Sequence, residues 1–185
     1  IIEEAVEVGA DMILTHHPLI FKPVTRINND DFIGRRLVRL LQNDICYYAM
    51  HTNFDVVAMA QAAADEMGLT DTKVLSVTFD DGNRKEGIGR YGKWKRIQSL
   101  SECASYVKEV FRFKSVNVYG DLETPIGTIA ICPGSGKSTM KDVVAAGADV
   151  LITGDVDHHM GIDLAAQGVC VIDAGHYGLE KIFAP

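Results

Sequence analysis

The chain has 185 residues and a formal net charge of −7, from 18 basic and 25 acidic side chains. This length allows a substantial buried core and predicts one domain or two small, closely associated ones. Because the sequence has no basic tract that could bind a phosphate backbone, direct nucleic-acid binding is disfavoured. A compact nucleotide remains compatible with this charge, since a bound metal could supply the positive charge that the protein lacks.

The four cysteines are widely spaced, which is typical of small buried side chains in a reducing compartment. This spacing fits neither a disulfide framework nor a thiolate zinc site. No apolar run approaches the roughly 20 residues that a membrane span needs, and no signal-peptide pattern is present. We therefore expect a cytoplasmic protein without membrane contact. The sequence starts inside a predicted helix without methionine, and we expect it to be a piece of a longer chain, truncated at both ends.

Hydrophobic periodicity predicts that short strands and amphipathic helices alternate in the first part of the chain. Helices are expected over residues 1–8, 32–42 and 56–67, and strands over 12–14 and 45–50. This section, residues 1–72, is therefore interpreted as a first α/β half.

The middle section, residues 73–130, has a different character. Residues 73–79 alternate like a strand, residues 80–83 form a turn signal, and residues 87–92 are rich in glycine. Strands flanking one helix, over residues 100–111, are expected here.

The last section, residues 131–185, returns to the first pattern and is interpreted as a second α/β half. Helices are expected over residues 141–146 and 158–167, and strands over 150–152 and 169–172. We expect the two halves to form one intertwined unit.

Two stretches of the second half repeat stretches of the first half in the same order. Residues 9–15 (GADMILT) match residues 147–153 (GADVLIT) almost completely. Residues 44–51 (DICYYAMH) resemble residues 168–176 (GVCVIDAGH), which contain one extra residue. Because two such echoes in one order are improbable by chance, the sequence indicates an internal duplication whose halves deliver equivalent groups to one cleft.

An adjacent pair of histidines, His16 and His17, stands where the strand over residues 12–14 ends. Pro18 favours an extended or turning backbone there, and strand ends are where open α/β sheets keep their chemistry. A lone histidine is more often a satisfied polar group near the core. For an adjacent pair at a strand end, the structural and functional interpretations are about equally favoured.

Each half also has a histidine followed four residues later by a carboxylate, His51 with Asp55 and His176 with Glu180. On a helix, residues four apart share one face, so both groups of such a pair can enter a cleft. For Asp55 taken alone, an N-cap before the alanine-rich helix is the preferred alternative.

If the imidazoles and carboxylates converge, they are too many for one open tetrahedral site. They suit two metal ions about 3.5–4 Å apart, with a position left for water. The candidate metal ligands are His16, His17, Asp55, His176 and Glu180.

These motifs, in their order, resemble the signatures of the GTP cyclohydrolase 1 type 2 family, also called the Nif-three-like proteins. They are HHPLIF (16–21), HTNFD (51–55), GIGR (87–90), PGSG (133–136), TGD (153–155) and GHYGLE (175–180). The resemblance implies a duplicated, intertwined α/β fold of mixed sheets with a dinuclear metal cleft between the halves. It also implies a homohexamer and two divalent ions per chain, of zinc, manganese, iron or magnesium, held by the five ligands named above. Asp155 stands where the family more often has glutamate.

Two further motifs resemble functional sites but are not assigned to one. The run GSGKST (134–139) resembles a phosphate-binding loop, but Ile131 occupies the position of its first glycine, so ATP binding there is improbable. The pair His158–His159 falls in a predicted helix, where successive side chains diverge, and is not assigned to the site.

The leading hypothesis is a metal-dependent hydrolase in which metal-activated water attacks a small polar substrate, possibly a nucleotide. Opening of the GTP ring is implied by the family name alone. The alternative is a non-catalytic metal-binding scaffold or regulatory interaction protein. His51 discriminates between them, because the repeat makes it equivalent to His176 while it lies outside the five ligands. It is the candidate general base, or a partner of a ligand.

Overall fold

The computed structural model describes residues 1–184, except for the side chains of residues 96 and 97. The chain divides into two compact units, of which the first is Ile1–Phe54 and the second begins at Asp55. The three sections predicted from the sequence, residues 1–72, 73–130 and 131–185, stay a prediction. The last of them ends on Pro185, which lies outside the described residues. None of the helices in the described part of the chain combines the length and hydrophobicity that crossing a bilayer requires.

The first unit contains a two-stranded parallel sheet and short helices. Its elements are α1 (Ile2–Glu7), β1 (Met12–Thr15), α2 (Phe32–Gln42), β2 (Cys46–Ala49) and α3 (Thr52–Phe54). β1 lies parallel to β2, with Met12 beside Cys46 and Thr15 beside Ala49. The buried apolar side chains of this unit form one small cluster: Ala5, Ile13, Leu40 and Ile45.

Helix α2 has clear start and stop signals. The Asp31 carboxylate accepts a hydrogen bond from the Gly34 amide at 2.8 Å, which satisfies one of the unpaired amides at the helix start. After the helix, Asp44 takes a left-handed conformation with φ +54°. This residue reverses the chain direction so that β2 can pair with β1.

The second unit opens with a π-helical turn, Asp55–Met59, that continues into α4 (Ala60–Glu66). Its strands are β3 (Leu69–Asp80), β4 (Lys85–Ser99), β5 (Asn117–Tyr119), β6 (Pro125–Ser135), β7 (Val150–Gly154) and β8 (Cys170–Asp173). Its other helices are α5 (Leu100–Val110), α6 (Met140–Ala145), α7 (His158–Ala166) and α8 (His176–Glu180). Single 3₁₀ turns follow β6, at Lys137–Thr139, and α8, at Lys181–Phe183.

These strands form one mixed sheet in the order β3-β4-β6-β7-β8-β5. β6, β7 and β8 are parallel to one another, whereas β3, β4 and β5 pair antiparallel with their neighbours. Val150 and Ile152 of β7 pack into one apolar cluster and Leu151 into another, so the centre of the sheet is buried on both faces. The predicted α/β class with mixed sheets is confirmed.

The internal duplication is visible in the geometry inside each unit. Met12 lies beside Cys46 in the first unit, and the equivalent Val150 lies beside Cys170 in the second. The Cys46 amide donates to the Asp11 carbonyl at 2.9 Å, as the Cys170 amide donates to the Asp149 carbonyl at 2.9 Å. Each repeat is therefore a helix, a strand, a helix and a parallel strand with the same register.

The glycine-rich stretch over residues 87–92 is part of a long strand rather than a loop. β4 runs through it and pairs with β3 on one side and β6 on the other. A Cβ atom at Gly87 would lie 2.0 Å from the Ser76 carbonyl oxygen, which explains why glycine stands there.

Candidate metal centre

Three histidines of the first unit converge beyond the ends of β1 and β2. His16 and His17 follow β1, and His51 lies two residues after β2. One ring nitrogen of each lies within 4.8 Å of the others. The ring centroids are 4.8 Å apart for His16 and His17, 5.2 Å for His16 and His51, and 5.1 Å for His17 and His51. Imidazole nitrogens at such distances are a donor set for a divalent metal ion.

The buried ring of His16 has a defined orientation. Its Nδ1 lies 2.9 Å from the Met50 carbonyl oxygen, directly beyond β2. Because a carbonyl oxygen can only accept, Nδ1 carries the proton and Nε2 is the nitrogen that can bind a metal. Histidine ligands of metals characteristically donate their second ring N–H to a carbonyl or carboxylate in this way.

Two hydroxyl groups fix the backbone that carries His17. Thr15 donates to the His17 carbonyl oxygen at 2.8 Å, and Tyr47 donates to the same oxygen at 2.9 Å. These bonds tie the turn after β1 to β2, so the positions of the paired imidazoles depend on the sheet rather than on a loose loop.

In the second unit, α8 places His176 and Glu180 one helical turn apart. The His176 Nε2 atom lies 2.9 Å from Glu180 Oε1, and Glu180 is buried. On the other edge of the ring, His176 Nδ1 lies 2.6 Å from Asp155 Oδ2, just beyond β7. Burial lowers the pKa of His176, but the hydrogen bond with Asp155 and the charges of both carboxylates outweigh it. The net effect is a pKa above its ordinary value of 6.5.

Gly134, near the end of β6, gives Glu180 the space that it occupies. A Cβ atom there would lie 2.5 Å from Glu180 Oε1 and 3.5 Å from His176 Nε2. The glycine-rich run that resembles a phosphate-binding loop thus lies against the carboxylate of α8. Its lysine, Lys137, forms a 2.6 Å ion pair with Asp157, which lowers the pKa of Asp157 to about 2.

Asp55 opens the π-helical turn and lies close to the same region of the second unit. It lines a small cavity together with Cys132 and Pro133. Burial raises the pKa of the Cys132 thiol to about 12, and the negative charges of Asp55 and Glu180 add to this increase. Both candidate carboxylate ligands therefore approach one buried thiol. Asp55 does not hold an N-cap position, because the helical run begins at Thr52.

Within each unit, the structure brings some of the predicted site residues close together. The first group consists of His16, His17 and His51. The second consists of His176 and Glu180, with Asp55 beside Cys132. The grouping of His51 with His16 and His17 makes it a candidate ligand as well as the candidate base that the sequence predicted. Within the described part of the chain, the exposed pair His158–His159 belongs to no cluster that could hold a metal ion.

Sequence reasoning did not assign roles to Asp155, Tyr47 or Gly134. The TGD and PGSG motifs marked two of these positions, but only the fold shows that they lie beside α8. Nothing in the sequence distinguished Tyr47 from the other residues of its predicted strand.

The fold and the two histidine-containing groups define an α/β protein with a candidate divalent-metal centre. A family model described as Duf34/NIF3 (NGG1p interacting factor 3) matches residues 1–185, and the chain belongs to this family.

Two curated relatives share the name GTP cyclohydrolase 1 type 2 homolog. The relative from Clostridium acetobutylicum is 33% identical over 182 residues, which cover 97% of this chain and 68% of the relative. The relative from Clostridium perfringens is 36% identical over 188 residues, with coverage of 97% and 69%. Among solved structures, a Bacillus cereus protein related to NIF3 has a TM-score of 0.90 at 22% identity. That match covers 98% of this chain and 77% of the other, and it supports the fold alone.

Proposed function

We propose that the protein is a divalent-metal-dependent hydrolase that acts on a small polar substrate. The observation that carries the proposal is the cluster of three imidazoles beyond β1 and β2, with ring nitrogens within 4.8 Å of one another. The held orientation of His16, with Nδ1 donating to a carbonyl, is the arrangement that a metal ligand requires.

We further propose two divalent ions per chain, held by His16, His17, Asp55, His176 and Glu180. The donor chemistry fits, since imidazoles suit zinc and iron while carboxylates extend the range to manganese and magnesium. Support in the second unit comes from the buried Glu180 carboxylate, 2.9 Å from the His176 ring. Ions bound there would lower the pKa of water to about 7 and so supply a nucleophile at neutral pH.

In this proposal His51 accepts or relays the proton of the attacking water. An imidazole can both accept and release a proton, which suits it to this role. The ring lies beside both His16 and His17, so it is placed to act on whatever those side chains bind.

The substrate class is proposed from the relatives and from the charge of the chain. The relatives' name refers to GTP cyclohydrolase, and a nucleotide is accordingly the first candidate substrate. With a net charge of −7, the protein would depend on metal charge to bind such an anion. We also propose a homo-oligomer, a hexamer by resemblance, that does not bind nucleic acid directly.

A non-catalytic metal-binding scaffold is the second candidate, and one observation favours it. If His51 is a third imidazole ligand beside His16 and His17, fewer coordination positions stay open for water and substrate. The protein would then use its metal to hold structure or a partner.

The experiment that tests the metal centre is elemental analysis of the protein purified without chelator. We expect up to two divalent ions per chain, and a lower content in Glu180→Gln, because the ligand loses its charge. The matched control is Glu123→Gln, an exposed glutamate of the same unit. A protein that contains no metal, and whose melting temperature does not rise with added zinc or manganese, contradicts the proposal. A screen of nucleotides and phosphoesters with the loaded protein then separates hydrolase from scaffold.

A further inference from the structure

We propose that Asp155 is a positioning residue, which holds the His176 ring with its proton on Nδ1 and presents Nε2 as the metal-binding nitrogen. This inference rests on the proposed metal centre and extends it to a residue outside the five ligands. It concerns the orientation of one imidazole, and it can be measured with or without metal.

The contact between the two side chains is short and has a defined polarity. Asp155 Oδ2 lies 2.6 Å from His176 Nδ1, a distance typical of charge-assisted hydrogen bonds. An ionised carboxylate can only accept, so the proton of this bond belongs to Nδ1. The opposite nitrogen, Nε2, lies 2.9 Å from Glu180 Oε1, and the ring therefore presents Nε2 toward the other candidate ligand.

The backbone beyond β7 is shaped for this contact. Asp155 has φ +55°, a left-handed conformation that is sterically strained for a non-glycine residue. At the preceding residue, Gly154, a Cβ atom would lie 2.3 Å from the His176 amide nitrogen. The end of β7 thus lies against the start of α8 without an intervening side chain. Strained residues of this kind are concentrated at functional sites, where surrounding structure maintains them.

The first unit orients His16 by the same principle with a different acceptor. His16 Nδ1 donates to the backbone carbonyl of Met50, beyond the strand next to its own, at 2.9 Å. His176 Nδ1 meets a carboxylate, beyond the strand next to β8. A carboxylate partner strengthens an imidazole as a ligand, whereas a carbonyl mainly orients it. The two rings are not equivalent in the repeat, since His176 corresponds to His51, so each unit holds a different histidine by its Nδ1 atom.

Asp155 itself is not placed as a ligand of the same ion. Its carboxylate contacts the Nδ1 edge of the ring, while Glu180 contacts the Nε2 edge. More than half of the Asp155 side chain is exposed to solvent, so its removal leaves no buried cavity. Replacing Asp155 should therefore affect the His176 ring without disturbing the core.

The test uses two variants that the left-handed backbone accepts. Asp155→Asn keeps an oxygen acceptor and removes the charge, and Asp155→Gly removes the acceptor and relieves the backbone strain. The control is Asp163→Asn, which removes an exposed charge from α7 in the same unit. Zinc affinity of the full chain is measured by chelator competition, and the His176 tautomer of the metal-free protein is measured by long-range ¹H–¹⁵N NMR.

We expect Asp155→Gly to weaken zinc binding about 10- to 100-fold, as loss of a ligand's hydrogen-bond partner does. Asp155→Asn should weaken it less, and Asp163→Asn should leave it unchanged. In the NMR experiment on the metal-free protein, the wild-type ring should carry a proton on Nδ1. The glycine variant should lose it and shift to the tautomer protonated on Nε2, because only the Glu180 carboxylate then accepts from the ring.

Unchanged affinity and tautomer in Asp155→Gly would overturn the inference. An equal loss of affinity in Asp163→Asn would also overturn it, because the effect would then be general electrostatics. Loss of affinity without any change of tautomer would identify Asp155 as a ligand instead. If the wild type binds no metal, the proposed function fails, while the tautomer measurement still decides whether Asp155 positions the ring.

Discussion

His51 lies as close to His16 and His17 as those two rings lie to each other, with centroid distances between 4.8 and 5.2 Å. Distance alone therefore does not separate a ligand from a proton-transfer group. The two roles differ in what is lost when the imidazole is removed, since a ligand holds the metal and a base acts only during turnover.

We predict that His51→Asn keeps the metal content within error and slows turnover by about a hundred- to ten-thousandfold, the usual effect of a positioned acid or base. Elemental analysis and steady-state kinetics on the same preparation measure both quantities. His159→Asn, on the exposed histidine pair of α7, is the control. If metal and activity fall together, His51 is a ligand. If neither changes, His51 has a structural role.

At the scale of single residues, the sequence was informative where chemistry and spacing coincide. His176 and Glu180 were predicted as a pair because four residues make one helical turn, and the structure has them 2.9 Å apart. The contact between Asp155 and His176 could not be predicted in that way, because 21 residues and another strand separate them. Residue type and spacing predict candidates, while long-range contacts decide their partners.

Asp44 and Gly168 occupy equivalent positions at the ends of α2 and α7, where each repeat turns from helix to strand. Both are left-handed, with φ +54° for Asp44 and +82° for Gly168. Only glycine adopts this conformation without steric cost, so at this position the first repeat contains strain that the second lacks.

We predict that Asp44→Gly stabilises the protein by up to about 1 kcal/mol. Glycine adopts the left-handed conformation without steric cost, and the Asp44 side chain that it replaces is exposed to solvent. Gly168→Ala is the matched control and should destabilise by about 1–2 kcal/mol. No atom lies within 4 Å of its added Cβ, so the effect isolates the backbone conformation. Urea unfolding measures both as midpoint shifts at constant slope. A loss of stability in Asp44→Gly would show that the carboxylate contributes more than the strain removes.

At the scale of elements, helices and strands followed from periodicity with small differences. The predicted helix over residues 32–42 has those bounds in the structure, since its cap and amphipathic pattern are local signals. The turn signal at residues 80–83 lies between β3 and β4 in the structure. The reason for the glycine-rich stretch over residues 87–92 could not be predicted, because at Gly87 it is the close approach of Ser76 from the neighbouring strand. The π-helical turn at Asp55–Met59 had no signal in the sequence.

The two units have very different cores. The first has four buried apolar side chains in one cluster. The second has two clusters, one on each face of a sheet whose central strand β7 is buried along its whole length. A small core and a two-stranded sheet supply less free energy against local opening than a large core does.

We therefore predict that backbone amides of β1 and β2 exchange with deuterium orders of magnitude faster than those of β6, β7 and β8. Hydrogen exchange followed by mass spectrometry of peptides from each strand measures the difference. The equivalent strands of the two repeats serve as internal controls, because β1 and β7 have nearly the same sequence and register. Equal protection of β1 and β7 would show that the first unit is stabilised by more than its own core.

For the molecule as a whole, the sequence indicated the duplication because both repeats retain similar residues in one order. It did not indicate the division after Phe54, nor the place of β5 at the edge of the sheet next to β8. Both depend on which elements pack together over long separations, and neither has a local signal.

Gly134 is a residue at which mutation can affect the candidate site although the residue is not a candidate ligand. It offers no side-chain atom to a metal or a substrate, yet any amino-acid substitution there adds a Cβ 2.5 Å from Glu180 Oε1, so that this carboxylate would have to move. We predict that a missense allele at this position displaces the Glu180 carboxylate from the His176 ring. In a genetic screen, Gly134 would then score with Glu180 although it contributes no side-chain ligand atom.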